Sequence, residues 1–306
     1  MESPAKRRSS GWVLAAALLG ISFAGPLVRL SSADPLAIAV WRLGFSLIIV
    51  SVALLVTGQW REWRILTARE AAFAISGGIA LAFHFWAWNT SIHLTTIAAS
   101  VTLVSLQPPI VIAISAVFLR EVPTRRQVAG IALAVIGAMV IAIPAWRENT
   151  GSGPTGALLG NMLAISAAVT AAIYYTIGRR LRTKYGIWSY VGLCYGACWA
   201  TLLMMAWVTR IQLTPQPPRE IAIFAGLAVG PMLLGHTGLN WALKYMPAYV
   251  VNLIVLGEPL GATILGALIP SIRQIPSAMT VLGGAIVLSG VVIAASATVS
   301  GRPTRG

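Results

Sequence analysis

Residues 96–119 read TIAASVTLVSLQPPIVIAISAVFL, a stretch without one charged side chain. A helix needs about 20 mostly apolar residues to cross a hydrocarbon core of about 30 Å. This stretch alone therefore predicts a membrane span. The same rule applied outward along the chain predicts nine more: Gly11–Leu30, Leu36–Thr57, Ala71–Ile92, Val128–Ala145, Gly156–Gly178, Trp188–Thr209, Ile221–Leu243, Ala248–Pro270 and Pro276–Thr298. The predicted fold class is an all-α membrane protein of ten transmembrane helices.

The composition agrees. Of 306 residues, 57% are hydrophobic and only 10% charged, and the mean hydropathy is +0.81. A water-soluble chain is about 25% charged, and a soluble enzyme or nucleic-acid-binding module has no place for so much apolar surface. The net charge of +14 would suggest nucleic acid in a soluble chain. Here the basic residues form short clusters between apolar spans. With a cytoplasmic N-terminus, sixteen fall in the inner segments, among them Lys6, Arg61, Arg69, Arg125, Arg180 and Lys184. Five fall outside (Arg29, Arg147, Arg210, Arg219, Arg273), and Arg42 lies within a span. Basic residues are retained on the cytoplasmic side during insertion. Both termini are thus predicted to be cytoplasmic, with no nucleic-acid partner and some attraction to anionic lipid. Lys6–Arg8 and the apolar run after them resemble a signal peptide with a weak site at Ser22–Ala24, but the run continues to Leu30, long enough to span. Cys194 and Cys198 lie in one span and are assigned to packing.

The break Gly151–Gly156 divides the chain into residues 11–145 and 156–298. A shift of 151 residues places Asn89 on Asn240, Gln107 on Glu258 and Pro108 on Pro259. A shift of 153 places Gly130 on Gly283 and Gly137 on Gly290. Each half holds five spans, an odd number, so the second must enter the membrane from the opposite side. Inverted repeats of this kind build many secondary transporters, with the binding site near the midplane.

These features resemble the EamA family of the drug/metabolite transporter superfamily. The likeness rests on the two five-span halves, on Leu106–Gln107–Pro108–Pro109 echoed by Gly257–Glu258–Pro259, on Phe118–Leu119–Arg120–Glu121, and on Gly130/Gly137 with Gly283/Gly290. It covers nearly the whole chain. It implies a carrier of the bacterial inner membrane that exports amino acids or related metabolites. Gln107 stands where many relatives would have Glu, and the ninth span ends Ile269–Pro270 without an acidic residue. The halves are electrically unequal, so proton coupling does not carry over from the resemblance alone.

Ionisable groups inside a span cost at least about 2.5–3.5 kcal/mol, which makes each a candidate for function. Glu258 sits near the middle of its span beside Pro259, which cannot donate to the preceding turn. It is read either as a substrate-ammonium or proton site or as interhelical glue. Gln107, followed by Pro108 and Pro109, takes the matching level of the fourth span, and Ser100 falls on nearly the same helical face. Pro108, Pro109 and Pro259 are candidate hinges. Arg42 either snorkels outward or faces a cavity and holds a carboxylate. Glu258 and Arg42 together would fit a zwitterion. His84, Trp88, Asn89, His236 and Asn240 complete the candidate substrate set. The asparagines are read as gates or, preferably, as helix caps, and the histidines as structural or substrate-facing. Phe83, Phe85, Trp86, Trp88, Tyr174 and Tyr175 divide between cavity wall and lipid face.

Three dispersed histidines offer no metal site, and no cofactor motif or phosphate loop of the type GxxxxGK[ST] is present. The reading is an exporter working by alternating access. A facilitator or channel is the alternative, and a membrane-embedded enzyme would need a catalytic constellation that the spans lack.

Overall fold

The computed structural model describes residues 4–119, 124–142, 153–245, 251, 255 and 257–299. Among them there are helices, turns and links but no strand. Backbone groups in lipid must be satisfied within their own segment, which leaves the helix as the open choice for a chain of this composition. The helices are α1 (Pro4–Ser22), α2 (Ala24–Leu30), α3 (Pro35–Val56), a 3₁₀ turn (Gln59–Arg64), α4 (Ala68–Leu94), α5 (Ile97–Val104), α6 (Gln107–Leu119) and α7 (Arg125–Ala142). They continue with α8 (Gly153–Arg182), α9 (Ile187–Thr209), α10 (Pro218–Leu227), a π-helical segment (Ala228–Thr237), α11 (Gly238–Ala242), α12 (Glu258–Leu268) and α13 (Ala278–Val299).

Among the described residues, six helical stretches are long and apolar enough to cross a membrane: Trp12–Leu30, Pro35–Val56, Ala68–Leu94, Gly153–Arg182, Ile187–Thr209 and Pro218–Ala242. Shorter apolar helices cover Ile97–Val111, Val128–Ile141 and Ala278–Ala294. Much of the expected ninth span before Gly257 lies outside the described residues, as do Arg120 and Glu121. The bundle turns an apolar surface outward: Val56 is 82%, Trp207 80% and Leu268 72% exposed. Large exposed apolar area is unfavourable in water and ordinary against acyl chains.

Local chemistry starts the helices where the sequence places caps. Thr67 and Glu70 form a capping box on α4, Asp34 accepts from the Leu36 amide with Pro35 opening α3, and Thr96 caps α5. Two expectations change. The stretch 96–119 is not one helix: α5 ends before the Ser105–Leu106 turn, and Gln107 opens α6 with Pro108 and Pro109 in its first turn. Glu258 likewise opens α12, with Pro259 in the first turn. The prolines therefore begin helices, where a missing N–H costs least, rather than kinking the middle of one. The Ser100–Gln107 face predicted from regular spacing is lost at that break, and Ser100 instead accepts from Ser91 at 2.8 Å. The eighth span is also irregular, because its centre is π-helical around Pro231. Met232, His236 and Asn240 recur every four residues in the sequence, but they therefore do not line up as they would on an α-helix.

α7 and α13 pack at backbone distance. A methyl group on Gly130 would stand 2.5 Å from the Gly290 oxygen, and one on Gly137 would stand 2.8 Å from the Gly283 oxygen. Small residues permit this approach and the dispersion contact that stabilises helix pairs in lipid.

Candidate functional site

Ten helical segments converge on one internal cavity of about 30 Å³, room for roughly one or two waters. Ile21 of α1 and Ala24 of α2 form one wall. Arg42 comes from α3, His84 and Trp88 from α4, Gln107 from α6, Tyr175 from α8 and Glu258 from α12. Pro231 and His236 of the π segment, with Leu239 of α11, close the ring beside Val104 and Val255.

Arg42 is the central feature. It is 1% exposed, and its guanidinium carbon lies 4.2 Å from the centre of the Phe85 ring. None of its three side-chain nitrogens has a hydrogen-bond partner among the described residues, and no described carboxylate comes within 4.0 Å. The outward-snorkelling reading is thus replaced by a buried cation on the cavity wall. A cation over an aromatic face gains about 2 kcal/mol when desolvated, which is less than the desolvation of a guanidinium costs. Trp88 Nε1, a donor, and Gln107 Oε1, an acceptor, are also buried on the same cavity without partners among the described residues. Glu258 completes the lining. Donors thus gather at Arg42 and Trp88, and acceptors at Gln107 and Glu258. Pro108 and Pro109 have no N–H to return to the carbonyls of Val104 and Ser105, so further acceptors lie beside Gln107.

The histidines have partners and also line the cavity. His84 Nδ1 lies 3.0 Å from the Ala167 carbonyl, and its ring stacks with Trp88 at 6.4 Å. His236 meets the Tyr175 hydroxyl at 3.5 Å and stands edge-on to His84 and Phe85 at 6.0 and 5.2 Å. Phe85 and Tyr174 are buried behind the wall, whereas Phe83 is 43% exposed on the outer surface.

Asn89 and Asn240 do not line the cavity, and neither caps a helix. Asn89 Nδ2 donates to the Pro35 carbonyl at 3.0 Å, joining α4 to the start of α3. Asn240 donates to the Tyr174 hydroxyl and, at 2.7 Å, to the His236 carbonyl. Both sit inside their helices, where the caps are already supplied by other groups.

Polar networks at the two ends involve acids outside the spans, which intramembrane charge does not reveal. At the end holding Arg29, Glu220 accepts from Ser31 Oγ and from the Ser32 amide at 3.1 Å. Arg29 donates to the carbonyl of Thr95, the residue that closes α4. At the opposite end, Glu70 accepts from Lys184 at 2.6 Å and Tyr185 at 2.7 Å, and Glu62 from the Gly186 amide at 2.8 Å. Arg182 donates to the Asn240 carbonyl at 3.1 Å. Arg179 donates to the carbonyl of Leu243, which closes α11. Burial, helped by the bond to Glu70, pushes the Tyr185 phenol up to about 12, so it remains a donor at ordinary pH. The usable signal was the Thr67-x-x-Glu70 capping box, which fixes Glu70 at a helix start.

With this geometry in place, comparison with known proteins is informative. A sequence model of the EamA-like transporter family matches residues 10–143 and again 158–296. An uncharacterized transporter of Archaeoglobus fulgidus is 26% identical over 285 residues, covering 90% of this chain and 93% of that protein. A solved crystal structure, 18% identical, superposes with a TM-score of 0.66 over 94% of this chain and 97% of the other.

Proposed function

The chain belongs to the EamA-like transporter family, and from that membership we propose that it is a secondary carrier of the bacterial inner membrane, exporting amino acids or related zwitterions by alternating access. That it is a multi-pass membrane transporter follows from the family and its helices. Substrate, direction and mechanism are the proposal. The observation that carries it is Arg42, buried and without a polar partner among the described residues, on the same small cavity as Glu258 and Gln107. A carboxylate would take bidentate hydrogen bonds from the guanidinium. An ammonium group would meet Glu258, Gln107 Oε1 and the carbonyls left free by the prolines. Trp88 and Tyr175 would bound the remainder.

An inverted pair of five-helix repeats, about residues 11–145 and 156–298, supplies the motion. Two pieces of geometry support it. Gly130 faces Gly290 while Gly137 faces Gly283. Gly283 and Gly290 are the counterparts of Gly130 and Gly137, so the α7–α13 contact has the reciprocal pattern of a twofold interface. Arg29 latches the end of α4 at one end of the bundle, and Arg179 latches the end of α11 at the other. A cavity closed towards both ends by such devices suits a carrier better than a channel, which needs a continuous polar path.

The test uses purified protein in liposomes, loaded with labelled amino acids and assayed with and without a pH gradient. Saturable flux is expected, with Arg42→Gln lowering it at least tenfold. A Glu258→Gln variant with unchanged flux and unchanged pH dependence would remove Glu258 from the site. Flux of uncharged solutes equal to that of amino acids would favour the facilitator reading. A reporter fused after Gly306 reads cytoplasmic if the ten-span topology holds.

A further inference from the structure

Away from the cavity, the Lys184 end of the bundle gathers two arginines from different halves of the chain around one ring. Arg69 and Phe73 stand four residues apart in the first turns of α4, and Arg180 lies in the last turn of α8. The guanidinium carbons of Arg69 and Arg180 lie 5.7 and 4.9 Å from the Phe73 ring centre. Both arginines are exposed, and no described carboxylate is within 4.0 Å of either. Glu70, the acid beside them, is engaged by Lys184 and Tyr185. Like charges held side by side repel unless an anion lies between them.

Below the pair, the outer surfaces of α4 and α8 are apolar. Phe83 is 43% exposed, and Ile173 and Val169 are each 38% exposed. Phe83 lies on the same face of α4 as Arg69 and Phe73, and Ile173 and Val169 lie on the face of α8 that carries Arg180. From Phe73 to Phe83 the helix advances about 15 Å at 1.5 Å per residue, about half the thickness of a hydrocarbon core. Two cations at the membrane surface above one acyl chain's length of exposed apolar surface match the shape and charge of a phospholipid.

We infer that the Arg69–Phe73–Arg180 cluster is a binding site for an anionic phospholipid, its phosphate held between the guanidiniums and an acyl chain along α4 and α8. The site joins the two proposed repeats, so its occupant bears on both. The leaflet involved rests on the proposed topology. Binding itself does not, and the reporter at Gly306 tests topology separately.

Native mass spectrometry of the purified full-length chain, titrated with phosphatidylglycerol or phosphatidylcholine, measures it. Phosphatidylglycerol is expected to bind more tightly. Each surface cation adds about fivefold to affinity for anionic lipid, so R69Q/R180Q should lose about thirtyfold for phosphatidylglycerol and little for phosphatidylcholine. R69K/R180K should retain most of the affinity, and Arg180→Gln alone should show an intermediate loss. Equal binding of the two lipids, or an unchanged R69Q/R180Q, would overturn the assignment. So would displacement of the lipid by millimolar inorganic phosphate or by an acidic peptide, because either would name a different occupant. Lipid binding is read without any transported substrate, so a failure of the carrier reading leaves its result intact.

Discussion

Arg42 bears a charge that its position on α3 keeps from either surface: it is 1% exposed, with a ring for company and no described acid within ion-pair distance. Insertion scales alone put a central arginine at about 2.5–3.5 kcal/mol. A residue kept at such cost for function rather than for packing should be replaceable by a neutral side chain of similar length without loss of stability. Arg42→Met is therefore expected to raise the melting temperature by a few degrees in detergent while abolishing the thermal shift expected from the proposed zwitterionic substrate. Tryptophan fluorescence during heating reads both. A melting temperature that falls by several degrees would assign Arg42 to structural glue. Arg42 and Glu258 were legible in the sequence because charge is so scarce inside the spans. Asn89 and Asn240 were read as gates or caps because one-dimensional spacing cannot show a bond between helices, from Asn89 to the start of α3 and from Asn240 to Tyr174 of α8.

At the scale of elements, hydropathy recovers helices but is blind to their internal geometry. The composition of residues 228–237 fits an α-helix as well as the π-helical segment that forms. Pro231 supplies the physical reason, since it cannot donate to the preceding turn and a wider turn accommodates the mismatch. This segment aims His236 at the cavity. Pro231→Ala restores an N–H and permits regular α-helix, which would rotate His236 away. Substrate affinity is expected to fall about tenfold with the melting temperature unchanged or raised, as measured by ligand-induced thermal shift. An unaltered affinity would mean that the segment does not position His236. The glycines of α7 and α13 were legible for the opposite reason: recurrence at one spacing in both halves marks a demand on the backbone. Gly137→Val would place its Cβ 2.6 Å from the Val287 nitrogen. Overpacking there should cost about 1–3 kcal/mol, seen as a lower melting temperature. Gly58→Ala is no control for this, because its positive φ of 69° adds strain of its own. Gly196→Ala is suitable, with nothing within 4 Å of the added methyl.

For the whole molecule, the two ends hold different closures around a cavity too small for an amino acid. At one end Glu220 ties α10 to the link before α3, through Ser31 and the Ser32 amide. At the other, Glu70 ties α4 to Lys184 and Tyr185 after α8. These acids escape a search for intramembrane charge because they sit at helix starts, where an acid is also an ordinary cap. If closure alternates, removing one tie shifts the population towards opening at that end and away from opening at the other. The cavity residue Ala24 offers a reporter position, in a background where the buried thiols Cys194 and Cys198 are replaced by alanine. An impermeant thiol reagent applied from the Glu220 side should label Ala24→Cys faster in Glu220→Gln and more slowly in Glu70→Gln. Applied from the Glu70 side, the order should reverse. A twofold shift in the open population corresponds to only about 0.4 kcal/mol, well within what one charged hydrogen bond contributes. If both variants accelerated labelling from both sides, the closures would be simple plugs of a channel. The reversed order follows only when the two ends share one equilibrium, which is what separates a carrier from a pore.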